Sequence, residues 1–419
     1  MLIFSLYSLI SIVYAEENPN APTTNISYHL NMRSELHDGV WNVQQGVHLI
    51  SETDWKKMSI HVDFMDARVW GSEITYAINK DTLANLYAGY AQFNLTDAQY
   101  LRVGKQEFIM NNGRFLWDGS WPIYGRSMDG LVYHGEQGKN NWNLSGFIWK
   151  NPAQYQTTCT ETSDTSTDCV DFTPKTINSN GDLLFTANAH IETDSAKIEP
   201  YLLHLRQNPI ATDLSRERRV WSPGLRVYGS QNKFYYDLEG VYQFGQASAG
   251  IAHQAWMGAA KLGVKLDTLD LALYYEENSG DGDPNDKVDN NMEAFIGKFH
   301  ALHGFADLVG GINSRDMSIQ GVAKINDKND FIFQAHQFQL SNPTGSWYSF
   351  NSAYVGTAAA DNTDANLGSE LDAVLQYKPV PGAKLQFGHS IFTPEGAGVD
   401  IKGSDKLLNF SYIWLVVKK

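Results

Sequence analysis

The 419-residue chain sets 32 Lys and Arg against 47 Asp and Glu, a formal charge of −15, and carries only two cysteines. An acidic balance excludes a nucleic-acid surface, which needs a basic face, and two cysteines exclude a fold held by a disulfide framework. With 11 Trp, 21 Tyr, 20 Phe and 35 Gly, the usage is that of strands and turns, and helix is a minor component.

Residues 1–15, MLIFSLYSLISIVYA, are apolar and end in Val13-Tyr14-Ala15, a spacing that signal peptidase accepts, ahead of polar EENPNAPTTN. A signal peptide over 1–15 is expected, with a single mature domain over 16–419. The stretch has no Lys or Arg before its apolar core, so a buried first strand is the competing assignment. Past Ala15 no run of about 18 apolar residues occurs, which excludes a helical membrane span.

The first mature strand, ISYHLNMRSELH, sets Tyr28, Leu30 and Met32 against His29, Asn31, Arg33 and Glu35. Residues 101–136 then place Arg102, Lys105, Arg114 and Arg126 in a strand, loop, strand unit. Cys159 and Cys169 flank ETSDTSTD, which reads as an exposed loop closed by one disulfide in an oxidising compartment. The segment SRERRVW, with Arg216, Arg218 and Arg219, reads as a solvated loop or a lipopolysaccharide contact.

In KFYYDLEGVYQF, Phe234, Tyr236, Leu238, Tyr242 and Phe244 share one face, opposite Lys233, Tyr235, Asp237, Glu239 and Gln243. Asp281, Asp283 and Asn285 resemble the start of a calcium loop, but Asp286 replaces the turn glycine and Met292 the bidentate Glu. A solvated extracellular loop is the better assignment. His300 and His303 lack an acidic third ligand at helical spacing, so no zinc site is assigned. In ELDAVLQYKP, Leu371, Ala373, Leu375 and Tyr377 oppose Glu370, Asp372 and Gln376. Ser390 follows His389 without the turn that exposes a nucleophile. The final strand, LLNFSYIWLV, shows Leu408, Phe410, Tyr412, Trp414 and Val416 as an apolar row opposite Asn409 and Ser411. That row is expected to face lipid.

Such alternation over segments of about 10 residues is the signature of a transmembrane antiparallel β-barrel, an all-β fold with an apolar exterior and a polar lumen. About 16 to 18 strands can be traced. Turns are expected at Asn140-Asn141, Ser230-Gln231-Asn232, Asn326 to Asn329 and Pro379 to Gly382. Long connections cover 109–126, 151–181, 207–219, 278–292 and 340–366. Trp41, Trp55, Trp70, Trp117, Trp121, Trp142, Trp149, Trp221 and Trp347 are candidates for the interfacial girdle, with core packing as the alternative for each.

Three groups of residues carry a resemblance: Gly104-Lys105-Gln106, Arg114-Phe115, Trp121 and Gly125 to Gly130; His303 to Asp307; and Gly368 to Asp372 with Gly388 to Phe392. In this order they resemble the motifs of the alginate export family of bacterial outer-membrane porins. The resemblance implies a monomeric barrel of about 18 strands whose arginine-lined pore passes an anionic polysaccharide. Lys105 stands where the family has Arg, and Ser127-Met128 where it has Thr-Phe.

Strand parity sends Arg33, Arg102, Arg206 and Arg226 inward, together with Glu35, Asp63, Asp237, Glu239, Glu370 and Asp372. Both signs are therefore expected in the lumen, where opposed charges order water and favour polar solutes. Arg126 and Lys105 are assigned to the rim, or to bulges at Gly125 and Gly104, and Arg114 to an inward-folded constriction loop. For each of these cations the competing assignment is an ion pair with Asp129, Glu107 or lipopolysaccharide phosphate. The functional expectation is an outer-membrane channel passing hydrophilic, anionic solutes such as alginate or related polyuronates, with no cofactor and no enzymatic chemistry. A general diffusion porin and a non-conducting adhesin or envelope barrel are the alternatives.

Overall fold

A computed structural model describes residues 22–70, 82–149, 182–209, 217–283, 285–350 and 352–419. The expected signal peptide, Cys159, Cys169 and Arg216 lie outside the described residues. The strands in chain order are β1 (Thr23–His37), β2 (Val40–Trp55), β3 (Met58–Val69), β4 (Thr82–Thr96), β5 (Gln99–Gln106), β6 (Met128–Gln137), β7 (Asn140–Ile148), β8 (Leu183–Glu192), β9 (Lys197–Gln207), β10 (Arg218–Gln231) and β11 (Phe234–Ser248). They continue as β12 (Ile251–Lys265), β13 (Leu269–Asn278), β14 (Val288–Asp289), β15 (Ser314–Lys324), β16 (Asn329–Gln339), β17 (Ser346–Tyr348), β18 (Tyr354–Thr357), β19 (Asn366–Tyr377), β20 (Ala383–Pro394) and β21 (Leu408–Lys418). Two short helices are described, α1 (Phe299–Leu302) and α2 (Ala397–Lys402).

Each strand from β1 to β13 pairs antiparallel with the next, and the ladder continues through β15, β16, β19, β20 and β21. β21 then pairs back onto β1, from His29 opposite Lys418 to His37 opposite Phe410. The result is a closed antiparallel barrel of 18 strands. β14 adds a short parallel bridge to β12, and β17 with β18 makes a separate hairpin. Tight turns at 56–57, 97–98, 138–139 and 232–233 share one rim with the start of β1 and the end of β21. The opposite rim carries the connections 107–127, 279–313, 340–365 and 395–407. In outer-membrane barrels the rim of short turns is periplasmic.

Two turns lie slightly off their expected places. Gly138, at φ 63, takes the left-handed position of the β6–β7 turn, so Asn140-Asn141 opens β7 instead. Asn232, at φ 56, does the same after β10, leaving Ser230 and Gln231 within the strand.

Alternation on the wall is explicit on β13 and β19. Leu273 and Leu371 are each 61% exposed, whereas Glu276 is 1% and Glu370 0% exposed. Leu144, Leu225, Leu238, Leu262 and Ile319 extend the outer belt around the ring. With no water at that depth, apolar contact with lipid is the only favourable environment for it.

β21 reverses the expected phase. Phe410, Tyr412 and Val416 are buried in the lumen, while Ile413 is exposed on the outside. The reason is packing, because Trp121 comes to rest edge-on against Phe410, Tyr412 and Trp414. Four of the candidate girdle tryptophans are likewise interior: Trp117, Trp121, Trp149 and Trp347 belong to buried clusters. Trp41, Trp55, Trp70 and Trp221 remain on the outer surface.

An arginine at Leu273, midway along β13, would face hydrocarbon and should lower unfolding stability in lipid vesicles by about 2–4 kcal/mol. Chemical denaturation of reconstituted Leu273→Arg tests this, and an unchanged midpoint contradicts the face assignment.

Candidate functional site

Two segments from the long-loop rim fold into the barrel. The first, 107–127 between β5 and β6, packs Phe108, Met110, Phe115 and Leu116 against Leu203, Leu205, Val220 and Met257 of the wall. The second, 290–313 ahead of β15, lies beside it, with Ile296 N–H donating to Phe115 O (3.1 Å) and Lys298 N–H to Gly113 O (3.0 Å). Apolar surface of each is thereby removed from water inside a polar tube.

Two motif glycines permit this path. Gly104 has φ 134, and a Cβ there would lie 2.4 Å from Gly89 O. Gly125 has φ 54, and a Cβ would lie 2.4 Å from the Tyr87 hydroxyl. That hydroxyl donates to Glu107 (2.7 Å) and accepts from Arg126 N–H (3.1 Å), so it ties both ends of the first segment to β4. Burial pushes the Glu107 carboxyl above the usual carboxylate range, against the opposing effect of the Tyr87 bond.

Arg114 is the charge at the centre. Its Nε donates to Glu239 of β11 (2.7 Å), and its Nη1 donates to Glu276 of β13 and to the Tyr274 hydroxyl (2.9 Å). Tyr201 of β9 donates to the other Glu239 oxygen (2.9 Å), and His303 Nε2 sits 2.9 Å from Glu276. Burial opposes the guanidinium charge, but Glu276, Tyr274 and Glu239 outweigh it and hold the Arg114 proton more tightly than usual. Arg114 is thus an anchor for the loop, with both carboxylates spent on it.

Arg33 repeats the device. It pairs with Glu35 (2.5 Å), bonds Gln44 (3.0 Å), donates to Trp121 O, and lies 3.7 Å from the Trp121 ring centroid. Trp121 also donates to Asp307 (2.8 Å) and stacks on His300, which bonds Asp307 at 2.8 Å. Glu370 of β19 accepts from Ala306 N–H (2.9 Å). Nearby Asp372 accepts from Ser390 (2.5 Å) and lies 3.8 Å from His336, itself bonded to Asp316 at 2.9 Å. Arg33, Glu35, Arg114, Glu239, Glu370 and Asp372 therefore serve the inward segments and their bed.

Arg226 faces the lumen and is neutralised by Glu199 (2.8 Å) and Asp237 (2.6 Å). Arg102 also faces the lumen, but its partners are Gln92 (2.9 Å) and the Tyr90 and Tyr100 rings. Four residues lie off the inner face of the wall, Arg206 contrary to expectation and Lys105 with the parity of Val103. Arg206 is exposed on the outer face, because β9 turns Tyr201, Leu203 and Leu205 inward to pack on the first segment. Lys105 and Asp129 sit opposite each other on the outer faces of β5 and β6, beside Val103 and Leu131, since Gln106 and Val132 take the inward places. Arg126 stays in the first segment, its stem over Gly119.

Two further lumen cations were not among the sequence candidates. Lys261 bonds Gln320 (2.8 Å), and Lys384 lies 4.1 Å from the Trp414 ring centroid. β12 is apolar on both faces around Lys261, with Met257 and Ala259 inside and Leu262 outside. The 290–313 segment was also hidden, although Met292, Ala294, Phe295 and Phe299, apolar without alternation, were its signal.

Among the described residues no group of three or more His, Cys, Asp or Glu is placed to hold a metal. Asp281, Asp283 and Asp289 cap backbone N–H groups of their own loop, and Met292 is buried. His389 points outward to Ser411, away from Ser390.

The family model described as alginate export matches residues 26–404. The chain belongs to the alginate export family. No curated protein matches this family member in sequence. Its fold is similar to that of Pseudomonas aeruginosa OccK10 (OpdN), at 10% identity and a TM-score of 0.62 over 94% of this chain and 99% of that one. It is also similar to P. aeruginosa OccK2 (OpdF) in complex with glucuronate, at 12% identity and TM-score 0.61 over 94% and 97%. P. aeruginosa OpdK with vanillate gives 10% identity and TM-score 0.62 over 94% and 98%. Family and fold place this chain in the bacterial outer membrane as a channel-type barrel.

Removing the Arg114 side chain strands two buried carboxylates, a loss of about 3–5 kcal/mol. Arg114→Ala should show it as reduced thermal stability in detergent, and Arg114→Met combined with Glu239→Gln and Glu276→Gln should recover most of it. An Arg114→Ala protein as stable as the parent contradicts the anchoring role.

Proposed function

We propose that this outer-membrane channel passes hydrophilic, anionic solutes, acidic sugars and polyuronates among them, by passive diffusion through a lumen narrowed by the 107–127 and 290–313 segments. One observation carries the anionic preference. Among the described residues Arg102, Lys261 and Lys384 are lumen cations without an ion pair, although Asp237 stands opposite Lys261; all three lie toward the turn-bearing rim and are held by amide oxygens or ring faces. Charges held so keep their field for a passing anion, whereas paired ones cancel. The alginate export family and the glucuronate complex of the similarly folded OccK2 support the same reading.

Transport on this reading involves no bond making. The chain acts as one barrel per protein, released from its 1–15 signal and seated among lipopolysaccharide. A general diffusion porin is the second reading, favoured by the paired Arg226, Glu199 and Asp237, which bring both signs to the lumen.

Planar-bilayer recording under a KCl gradient tests the proposal. The expected result is single-channel conductance with a reversal potential on the anion side, shifted toward zero in Lys261→Gln with Lys384→Gln. Absence of conductance, or a cation-side reversal potential, contradicts it.

A further inference from the structure

Beside the first inward segment, at the turn-bearing rim, lies a cavity of about 570 Å³ whose wall is built by β1 to β5. Two of its lining residues form a ring stack, and a second stack lies beyond the lining. His61 of β3 stacks on Tyr90 of β4, centroids 4.7 Å apart and planes 8° apart. On the next strands Tyr100 of β5 stacks on His134 of β6, also at 4.7 Å. Arg102 lies between the two stacks, its Cζ 4.4 Å from the Tyr90 centroid and 5.3 Å from that of Tyr100.

The guanidinium is oriented by Nε and Nη2 bonds to a single neutral acceptor, Gln92 Oε1 (3.3 and 2.9 Å). The carboxylates of the same cavity are committed elsewhere. Asp63 is bonded by His48 (3.0 Å), Glu107 by Tyr87 (2.7 Å), and Asp118 accepts from Ser120 N–H (3.1 Å). Lys418 and Lys419 bring further cations to the lining. An arginine fork fixed in orientation, flanked by π faces and without an ion pair, is complementary to a carboxylate carried on a flat or chair-shaped ring. A volume of about 570 Å³ lies in the range of small-molecule sites.

We propose that this vestibule is a binding subsite for a ring-bearing monocarboxylate. The carboxylate replaces Gln92 on the Arg102 fork, and the ring lies along the Tyr90 and Tyr100 edges. The proposal rests on the reading of the chain as a channel for anionic solutes and gives it a stopping point on the turn side. Sugar acids and aromatic acids share this chemistry, and the experiment separates them.

The test is calorimetric titration of the full-length protein in detergent with galacturonate, benzoate and galactose. Galacturonate, benzoate or both should bind, and galactose should bind at least about tenfold more weakly than galacturonate if the sugar acid is the ligand. Arg102→Gln should weaken the acid by about tenfold or more, the loss of a charge-assisted fork, and leave galactose unchanged. Heat-modifiable gel mobility reports whether the variant barrel has formed. Should Arg102→Gln fail to form it, Tyr100→Leu keeps the fork and should still weaken the acid severalfold. Binding of neither acid, or binding indifferent to both substitutions in folded protein, overturns the subsite. Conductance without Arg102-dependent binding refutes the subsite alone, while Arg102-dependent binding without conductance refutes the channel alone.

Discussion

Everything in this molecule depends on the hydrogen bonds between its last strand and its first. In hydrocarbon an unpaired backbone N–H or C=O costs several kcal/mol, so a sheet can enter a membrane only without edges. The β1–β21 ladder from His29 and Lys418 to His37 and Phe410 removes both edges at once. Only then does period-two alternation acquire meaning, one parity meeting lipid and the other a water-filled interior.

A barrel of this girth has more interior than its own inward side chains can fill. The chain answers with the 107–127 and 290–313 segments, and lowering polar loops into the bore raises the problem of buried charge. Arg114 against Glu239 and Glu276, and Arg33 against Glu35 and the Trp121 carbonyl, solve it by local neutrality. The charges nearest the centre therefore set where the loops lie. Charges held by neutral partners, Arg102 and Lys384 above all, are the ones left to act on a solute.

The wall was legible in the sequence wherever the two faces differ in polarity. On β11 and β19 the contrast of Leu238 with Glu239, or Leu371 with Glu370, leaves one phase open, and the structure has it. On β21 the contrast fails, because a wall that supports an inward loop is apolar on its inner face as well. Phe410 and Tyr412 read as a lipid row for that reason and instead carry Trp121. β9 misled in the same way at Arg206, whose neighbours Leu203 and Leu205 face the loop. The family motif was visible in Gly104, Arg114, Trp121 and Gly125, yet not what its arginine does. The partners of Arg114 lie 125 and 162 residues away, and no local pattern connects them.

β21 is where the account can be tested most directly, since local pattern and folded structure assign it opposite faces. Spin labels placed singly from position 409 to 416, with Cys159 and Cys169 replaced by Ser, would report collision with oxygen in lipid and with a water-soluble nickel chelate. Oxygen contact should peak at positions 411, 413 and 415 and fall at 410, 412 and 416. The opposite phase, or no alternation, would contradict a closed barrel whose inner wall is shared with a folded-in loop.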